Sequence, residues 1–324
     1  MLQNRDLREA TAFENAVFAG MRRVLGPSKK LLLAVSGGAD STALLWSMAE
    51  VAPRLGVEFE VGTVDHGLRD ESVADAAFVQ SLCDKLDVPV EILRLHLEPG
   101  TSVEARAREG RYQALTALRL RRGLDAVVTA HTANDQAETL LMRLSRGASL
   151  RGAAGILENA GGLLRPLLRV TRQQTSTYCA LQGLVPREDS MNVDTQFQRV
   201  RVRRDVIPAL ERAIGPYAVA NLSAFAAVAA EDDGHLTLEA DAAWSRVHRN
   251  GALDAYASRH LASPILRRVL VRWLEQNQVT CDATALRGCV EALAQGGRAT
   301  LPNDLLCDCT GAWVHLVPAP PRHP

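Results

Sequence analysis

The chain has 324 residues, 47% of them hydrophobic and 23% charged, which suits two soluble globular domains with full cores. Its 37 Lys and Arg match its 37 Asp and Glu, so net charge gives no long-range pull on a polyanion, and any nucleic-acid contact must come from local arginine patches. The N-terminal stretch mixes acids and bases from Arg5 onward and does not read as a secretory signal, and the most apolar long run, Ala218 to Ala230, is too short to cross a bilayer. A cytoplasmic protein with no membrane partner is expected. The 6 cysteines form no C-x-x-C pair, a scatter that suits free thiols in a reducing compartment.

Lys30 to Val35 is a continuous apolar run that ends at glycines, the pattern of a buried parallel strand. A helical pattern follows over Thr42 to Ala52, then a strand over Val57 to Val64, a helix over Val73 to Leu86 and a strand over Pro89 to Leu95. Ser102 to Leu120 reads as a long helix, Ala126 to Ala130 as a fourth strand, and Asn134 to Leu144 as a helix. Such alternation predicts an α/β domain with a parallel sheet covered on both faces. Gly147 to Gly162 is glycine-rich and reads as a loop or a series of tight turns. Pro208 and Gly215-Pro216 mark a boundary, dividing the chain into 1–218 and a smaller, mainly helical 219–324 with one short strand at Trp313 to Val317.

Ser36-Gly37-Gly38-Ala39-Asp40-Ser41 lies between the first strand and its helix. Two glycines let the backbone approach a ligand, and the helix start offers free N–H groups and a positive dipole end. Taken alone this is also what a glycine turn capping a helix looks like. No G-x-x-x-x-G-K-[ST] is present, so the loop brings no lysine to a nucleotide's phosphates. The six residues after an apolar strand resemble the S-G-G-x-D-S signature of the PP-loop ATP pyrophosphatase superfamily (adenine nucleotide alpha hydrolase-like). That resemblance implies ATP as co-substrate, cleavage between the α- and β-phosphates, and the loop holding pyrophosphate.

Val64-Asp65-His66-Gly67-Leu68-Arg69 closes the second strand, on the same sheet edge. Glu104, Arg108 and Arg111 are spaced to share one helix face, which a solvated salt-bridged face explains equally well. His131, Asp135, Gln136 and Glu138 follow the fourth strand, where first-turn acids are favoured without any function. Together these stretches resemble the tRNA(Ile)-lysidine synthetases, through V-D-H-G-L-R, S-x-E-x-x-A-R-x-x-R-Y and A-H-H-x-D-D-Q-A-E-T, the last departed from at Thr132 and Asn134. Arg165-Pro166-Leu167-Leu168, Glu188-Asp189-Ser190-x-Asn192 and Arg199-x-Arg201-x-Arg203 extend the likeness over residues 31 to 212, with Val200 in place of the family's asparagine.

The resemblance implies a ligase that adenylates C2 of the wobble cytidine of a tRNA(Ile) with a CAU anticodon and replaces AMP by L-lysine. On the matching positions it makes Asp40, His131 and Asp135 catalytic candidates, with Asp40 and Asp135 placing Mg²⁺. It makes Asp65, His66, Arg69, Glu104, Arg108, Arg111 and Glu138 candidates for the lysine and base pocket. Arg199, Arg201 and Arg203 alternate at strand-like spacing and are candidates for gripping tRNA phosphates if extended; if helical they fan out. From Arg106 to Arg122 there are six arginines against one acid, and in 219–324 nine against eleven acids, so any tRNA affinity is local. Residues 219–324 are read as the accessory tRNA-binding part. A homodimer is one expectation for the assembly. Two other readings stay open: a PP-loop tRNA thiolation enzyme, which lacks its expected C-x-x-C pairs here, and a non-catalytic nucleotide-binding module.

Overall fold

The computed structural model describes residues 4–65, 71–95, 103–187, 198–280 and 282–320; of residues 4, 71–73 and 103–105 it describes the backbone alone. The chain divides into two compact units, Met1–Ala230 and Glu231–Pro324. The division falls inside one long helix, twelve residues beyond the proline-marked boundary at 218.

The first unit begins with helix α1 (Asn4–Val24), strand β1 (Lys30–Ala34), α2 (Ala39–Leu55), β2 (Glu58–Asp65), α3 (Glu71–Leu86) and β3 (Val90–Arg94). It continues with α4 (Val103–Arg122), β4 (Ala126–Val128), α5 (Ala133–Leu144), α6 (Leu150–Ala153), β5 (Asn159–Ala160), β6 (Leu163–Leu164) and α7 (Arg172–Leu181). A helical segment follows, made of α8 (Gln198–Arg201), a π-helical turn (Val202–Val206) and α9 (Ile207–Ile214), before α10 (Ala218–Val247). The strands order as β3-β2-β1-β4-β6-β5, parallel except for the β5–β6 pair. The glycine-rich stretch expected as turns thus carries a helical turn and this short hairpin.

Alternation along β1 explains the two layers. Leu31 and Leu33 face a core of Phe13, Val17, Met21, Leu45, Met48 and Tyr178 under α1, α2 and α7, while Leu32 faces Leu115, Leu118 and Val127 under α4. All three leucines are fully buried. The chain leaves β1 to build β2 and β3 on one side, then returns to lay β4 on the other. The carboxyl ends of β1 and β4 therefore flank a switch point, where open α/β sheets leave a crevice for ligands.

Gly20 of α1 shows how closely this layer packs. A Cβ there would stand 2.2 Å from the Pro166 carbonyl oxygen, and backbone cannot swing away. Gly20→Ala is expected to cost about 1–3 kcal/mol as an overpacked contact. That lowers the melting temperature by several degrees, roughly 2–4 °C per kcal/mol. An unchanged thermal melt would mean α1 shifts freely.

The arginine-rich run on α4 splits by position. Arg121 and Arg122 pair with Glu91, and Arg122 also with Glu60, beside the starts of β2 and β3 and away from the loop edge. The second unit contains β7 (His248–Arg249), β8 (Ala252–Asp254), α11 (Ala255–Arg259), α12 (Ser263–Gln276), α13 (Ala283–Gln295), β9 (Arg298–Leu301), β10 (Leu305–Asp308) and β11 (Trp313–Pro318). Its strands form an antiparallel sheet in the order β7-β8-β11-β10-β9, around a core that includes Trp273, Leu293 and Val314. Only the last of these strands was expected, because runs of two to four residues are too short to show a period. Among the described residues no single helix is long and apolar enough to cross a membrane.

Candidate active site

The loop after β1 is held by its own side chains. Gly37 sits at φ 87°, a conformation that favours glycine. The Ser36 N–H donates to Ser41 Oγ at 3.1 Å, the two seryl oxygens are 3.2 Å apart, and Ser41 Oγ donates to the Gly38 carbonyl at 3.1 Å. Thr42 Oγ1 and the Arg187 N–H both reach the Gly37 carbonyl, at 3.2 and 3.0 Å. Gly38 caps α2 in an extended conformation, so the first-turn amides from Ala39 onward point out of the helix without intrahelical partners.

Asp40, on that first turn, points toward α7. Thr175 Oγ1 donates to Asp40 Oδ1 at 2.5 Å, and Arg172 Nε lies 3.4 Å from Oδ2. Burial raises the Asp40 carboxyl above the ordinary range, outweighing the Thr175 bond and the Arg172 charge, with the nearby Asp135 charge adding to the rise. Across the switch point, Thr132 caps α5, and its N–H and hydroxyl donate to Asp135 Oδ2 at 2.8 and 2.9 Å. Asp135 Oδ1 takes Arg199 Nη2 at 2.8 Å and Arg172 Nη2 at 3.4 Å. Burial opposes the Asp135 charge, but Arg199, Arg172 and the Thr132 N–H outweigh it and hold the carboxyl below its usual range.

Glu138, one turn on, has a fully buried side chain. It accepts Arg199 Nε at 2.6 Å and Arg203 Nε at 2.7 Å, with Arg172 Nη1 at 3.5 Å. Burial works against the Arg203 charge, but the bond to Glu138 raises its pKa. Three carboxylates and three guanidiniums, from α2, α5, α7 and the helical segment after 198, thus form one balanced cluster beside the phosphate loop. Arg199 and Arg203 share a face because the segment is helical, four residues apart. The extended arrangement considered for them is not adopted. Arg201 is exposed.

His131 stands beside this cluster with Nδ1 2.9 Å from Thr129 Oγ1. Burial, then the Arg165, Arg108 and Arg199 charges, outweigh Asp135 and lower its pKa to about 4, so the ring is neutral at pH 7. Arg165 donates to the Leu157 carbonyl at 2.8 Å, and Arg108 lies over the Tyr112 ring, 5.4 Å from its centroid. Gln136 ties α5 to the following loop, accepting the Ile156 N–H at 2.6 Å and donating to the Ala154 and Ile156 carbonyls.

Of the other anticipated residues, Asp65 is buried at the end of β2, and Arg111 is exposed on α4. His66 and Arg69 lie outside the described residues, as do Glu188, Asp189 and Asn192 and the side chain of Glu104.

Residues 9–210 match the family model of a PP-loop domain. Over 308 residues the chain is 44% identical to the tRNA(Ile)-lysidine synthase of Novosphingobium aromaticivorans, covering 90% of each chain. The chain belongs to the tRNA(Ile)-lysidine synthase family. A second lysidine synthase, from Salinispora tropica, is 42% identical over 289 residues, which are 85% of this chain and 86% of that one. Among solved structures, the U34-tRNA thiolase NcsA from Methanococcus maripaludis with its [4Fe-4S] cluster superposes with a TM-score of 0.56 at 14% identity, covering 68% of this chain and 80% of that one. This is a likeness of fold alone.

Within the lysidine synthase family pattern, the two departures have local roles here. Thr132 caps α5 and holds Asp135, and Asn134 Oδ1 accepts the Arg172 N–H at 2.8 Å, fixing the start of α7. Reasoning from sequence passed over Arg172 and Thr175. The available signal was the capping box Thr171/Gln174, which marks the helix start. The run RQQTSTYCAL hides the helix, because Thr and Ser are weak helix formers.

Proposed function

We infer that the chain joins L-lysine to C2 of the wobble cytidine of a tRNA(Ile) with a CAU anticodon, consuming ATP to AMP and pyrophosphate. The observation that carries this is 44% identity to a tRNA(Ile)-lysidine synthase across 90% of both chains. The site chemistry agrees with it. The cytidine C2 oxygen attacks the α-phosphorus, the bond to the β-phosphate breaks, and pyrophosphate leaves with the electron pair. The lysine amine then attacks C2, AMP departs with the C2 oxygen, and the amine sheds a proton.

Each step asks for orientation and charge stabilisation. Ser36 to Ser41 suit the phosphates, through the first-turn amides and the two hydroxyls. In the tautomer that donates Nδ1–H to Thr129 Oγ1, Nε2 of the neutral His131 can accept the proton shed by the amine. Asp135 is an acid suited to a cationic substrate amine, and Glu138, fully buried against Arg199 and Arg203, orders the arginines beside it. Asp65, His66, Arg69, Glu104, Arg108 and Arg111 are further pocket candidates.

Magnesium fits this donor set. Asp40 and Asp135 both present hard carboxylate oxygens to the one Arg172 guanidinium. An ion held by one or two carboxylates, waters and ATP phosphates needs no protein cage. When bound, it would neutralise phosphate charge.

For the tRNA, Arg201 is the exposed member of the three candidates, and Arg199 and Arg203 pair with Asp135 and Glu138. Residues 219–324 are the accessory part we assign to tRNA. Thiolation is disfavoured because the cysteines form no C-x-x-C pair, and burial and the Asp40 charge push the Cys179 thiol up to about 12.

The test incubates the chain with ATP, labelled lysine and tRNA transcripts. Label is expected in tRNA(Ile) with the CAU anticodon and not in tRNA(Met), with AMP and pyrophosphate as co-products. ADP as main product would remove the PP-loop chemistry. Equal labelling of both tRNAs would remove the stated specificity.

A further inference from the structure

We propose that Arg172 is the guanidinium that takes the pyrophosphate portion of ATP, the part that a lysine plays in loops that carry one. The proposal rests on the ATP-cleaving reading above. The phosphate loop itself contains no cation. Arg172 is a cation that touches one of its residues, with Nε 3.4 Å from Asp40 Oδ2.

Three features separate Arg172 from its neighbours. Its other contacts are also long, 3.4 Å to Asp135 and 3.5 Å to Glu138, so it is shared among three carboxylates and well bonded to none. Arg199 and Arg203 instead make bonds of 2.6 to 2.8 Å to the same acids. Second, its backbone is pinned: its N–H donates to Asn134 at 2.8 Å, and the Thr171–Gln174 capping box sets the helix turn. A fixed base with a loosely held tip lets the side chain turn without loss of the element that carries it.

Third, each acid keeps a partner when Arg172 turns away. Asp40 retains the Thr175 hydroxyl, Asp135 retains Thr132 and Arg199, and Glu138 retains Arg199 and Arg203. Release therefore strands no buried charge. A triphosphate on the loop would stand next to Asp40, and the planar fork between them would meet phosphate oxygens in pairs and relieve the repulsion.

Calorimetric binding of ATP, pyrophosphate and AMP, without tRNA or lysine, tests this on the full chain and on Arg172→Ala and Arg172→Lys. Because no lysidine forms in the assay, a failure of the ligase reading leaves the result readable. Arg172→Ala is expected to weaken ATP and pyrophosphate about 10- to 100-fold, the loss of charge-assisted hydrogen bonds. AMP binding should change by less than about threefold, because AMP lacks the oxygens concerned. Arg172→Lys, which keeps the charge and loses the fork, should fall between and carries the same comparison if the alanine variant does not fold. Equal losses for ATP and AMP would mean Arg172 merely organises the acids, and unchanged pyrophosphate binding would overturn the proposal.

Discussion

Asp40→Ala is expected to lower lysidine formation by about 10²–10³-fold or more, the loss usual for one preorganised electrostatic group. The protein should still fold. The Thr175 hydroxyl stands 2.8 Å from the Arg172 carbonyl as well as facing Asp40, so it keeps an acceptor when the carboxylate is gone. Arg172 keeps Asp135 and Glu138. Burial already disfavours the charged form of Asp40, so its removal relieves a desolvation cost. Steady-state turnover paired with a thermal melt separates the two effects. Wild-type turnover in the variant would take Asp40 out of the chemistry, and a collapsed melt would make it a structural residue.

Glu138→Ala should do the reverse and strike stability first. This fully buried side chain receives Arg199 and Arg203 at 2.6 and 2.7 Å. Without it, two part-buried guanidiniums and Arg172 share Asp135. Removing one partner from a buried ion cluster costs about 3–5 kcal/mol. In a unit of this size that is a fall in melting temperature of roughly 6–20 °C. Glu138→Gln, whose amide oxygen still accepts one guanidinium bond, should lose less. A shift under about 2 °C for the alanine variant would show that the cluster contributes nothing net, as exposed ion pairs often do.

The phosphate loop was legible in the sequence because it follows a strand end directly, and Asp135 and Glu138 became candidates through the family resemblance of the first turns after β4. A strand followed by a helix places such residues on the carboxyl edge of a parallel sheet wherever it occurs. Arg172 and Thr175 were not legible, since their tie to Asp40 spans 132 and 135 positions and no local pattern encodes it. Arg199, Arg201 and Arg203 misled in a different way. Alternate spacing suggests a strand face, but the local conformation is helical, and two of the three turn inward to neutralise acids. Burial of Asp135 and Glu138 is a tertiary fact, and the two acids together draw Arg199 and Arg203 inward. In the second unit the short strands left no period to read, whereas the apolar face of α12 did; α13 was not anticipated.

The balanced cluster also sets an order of events during synthesis. Its members sit at positions 40, 135, 138, 172, 199 and 203, so the loop emerges from the ribosome long before the groups that face it. Until residue 203 is out, Glu138 lacks the arginine that binds it through two nitrogens, and burying it is costly. The nascent first unit can therefore collapse its sheet and its leucine layers early, while the reaction centre closes only when the last helical segment docks. A chain truncated before that point would hold the loop without the charges that complete its site.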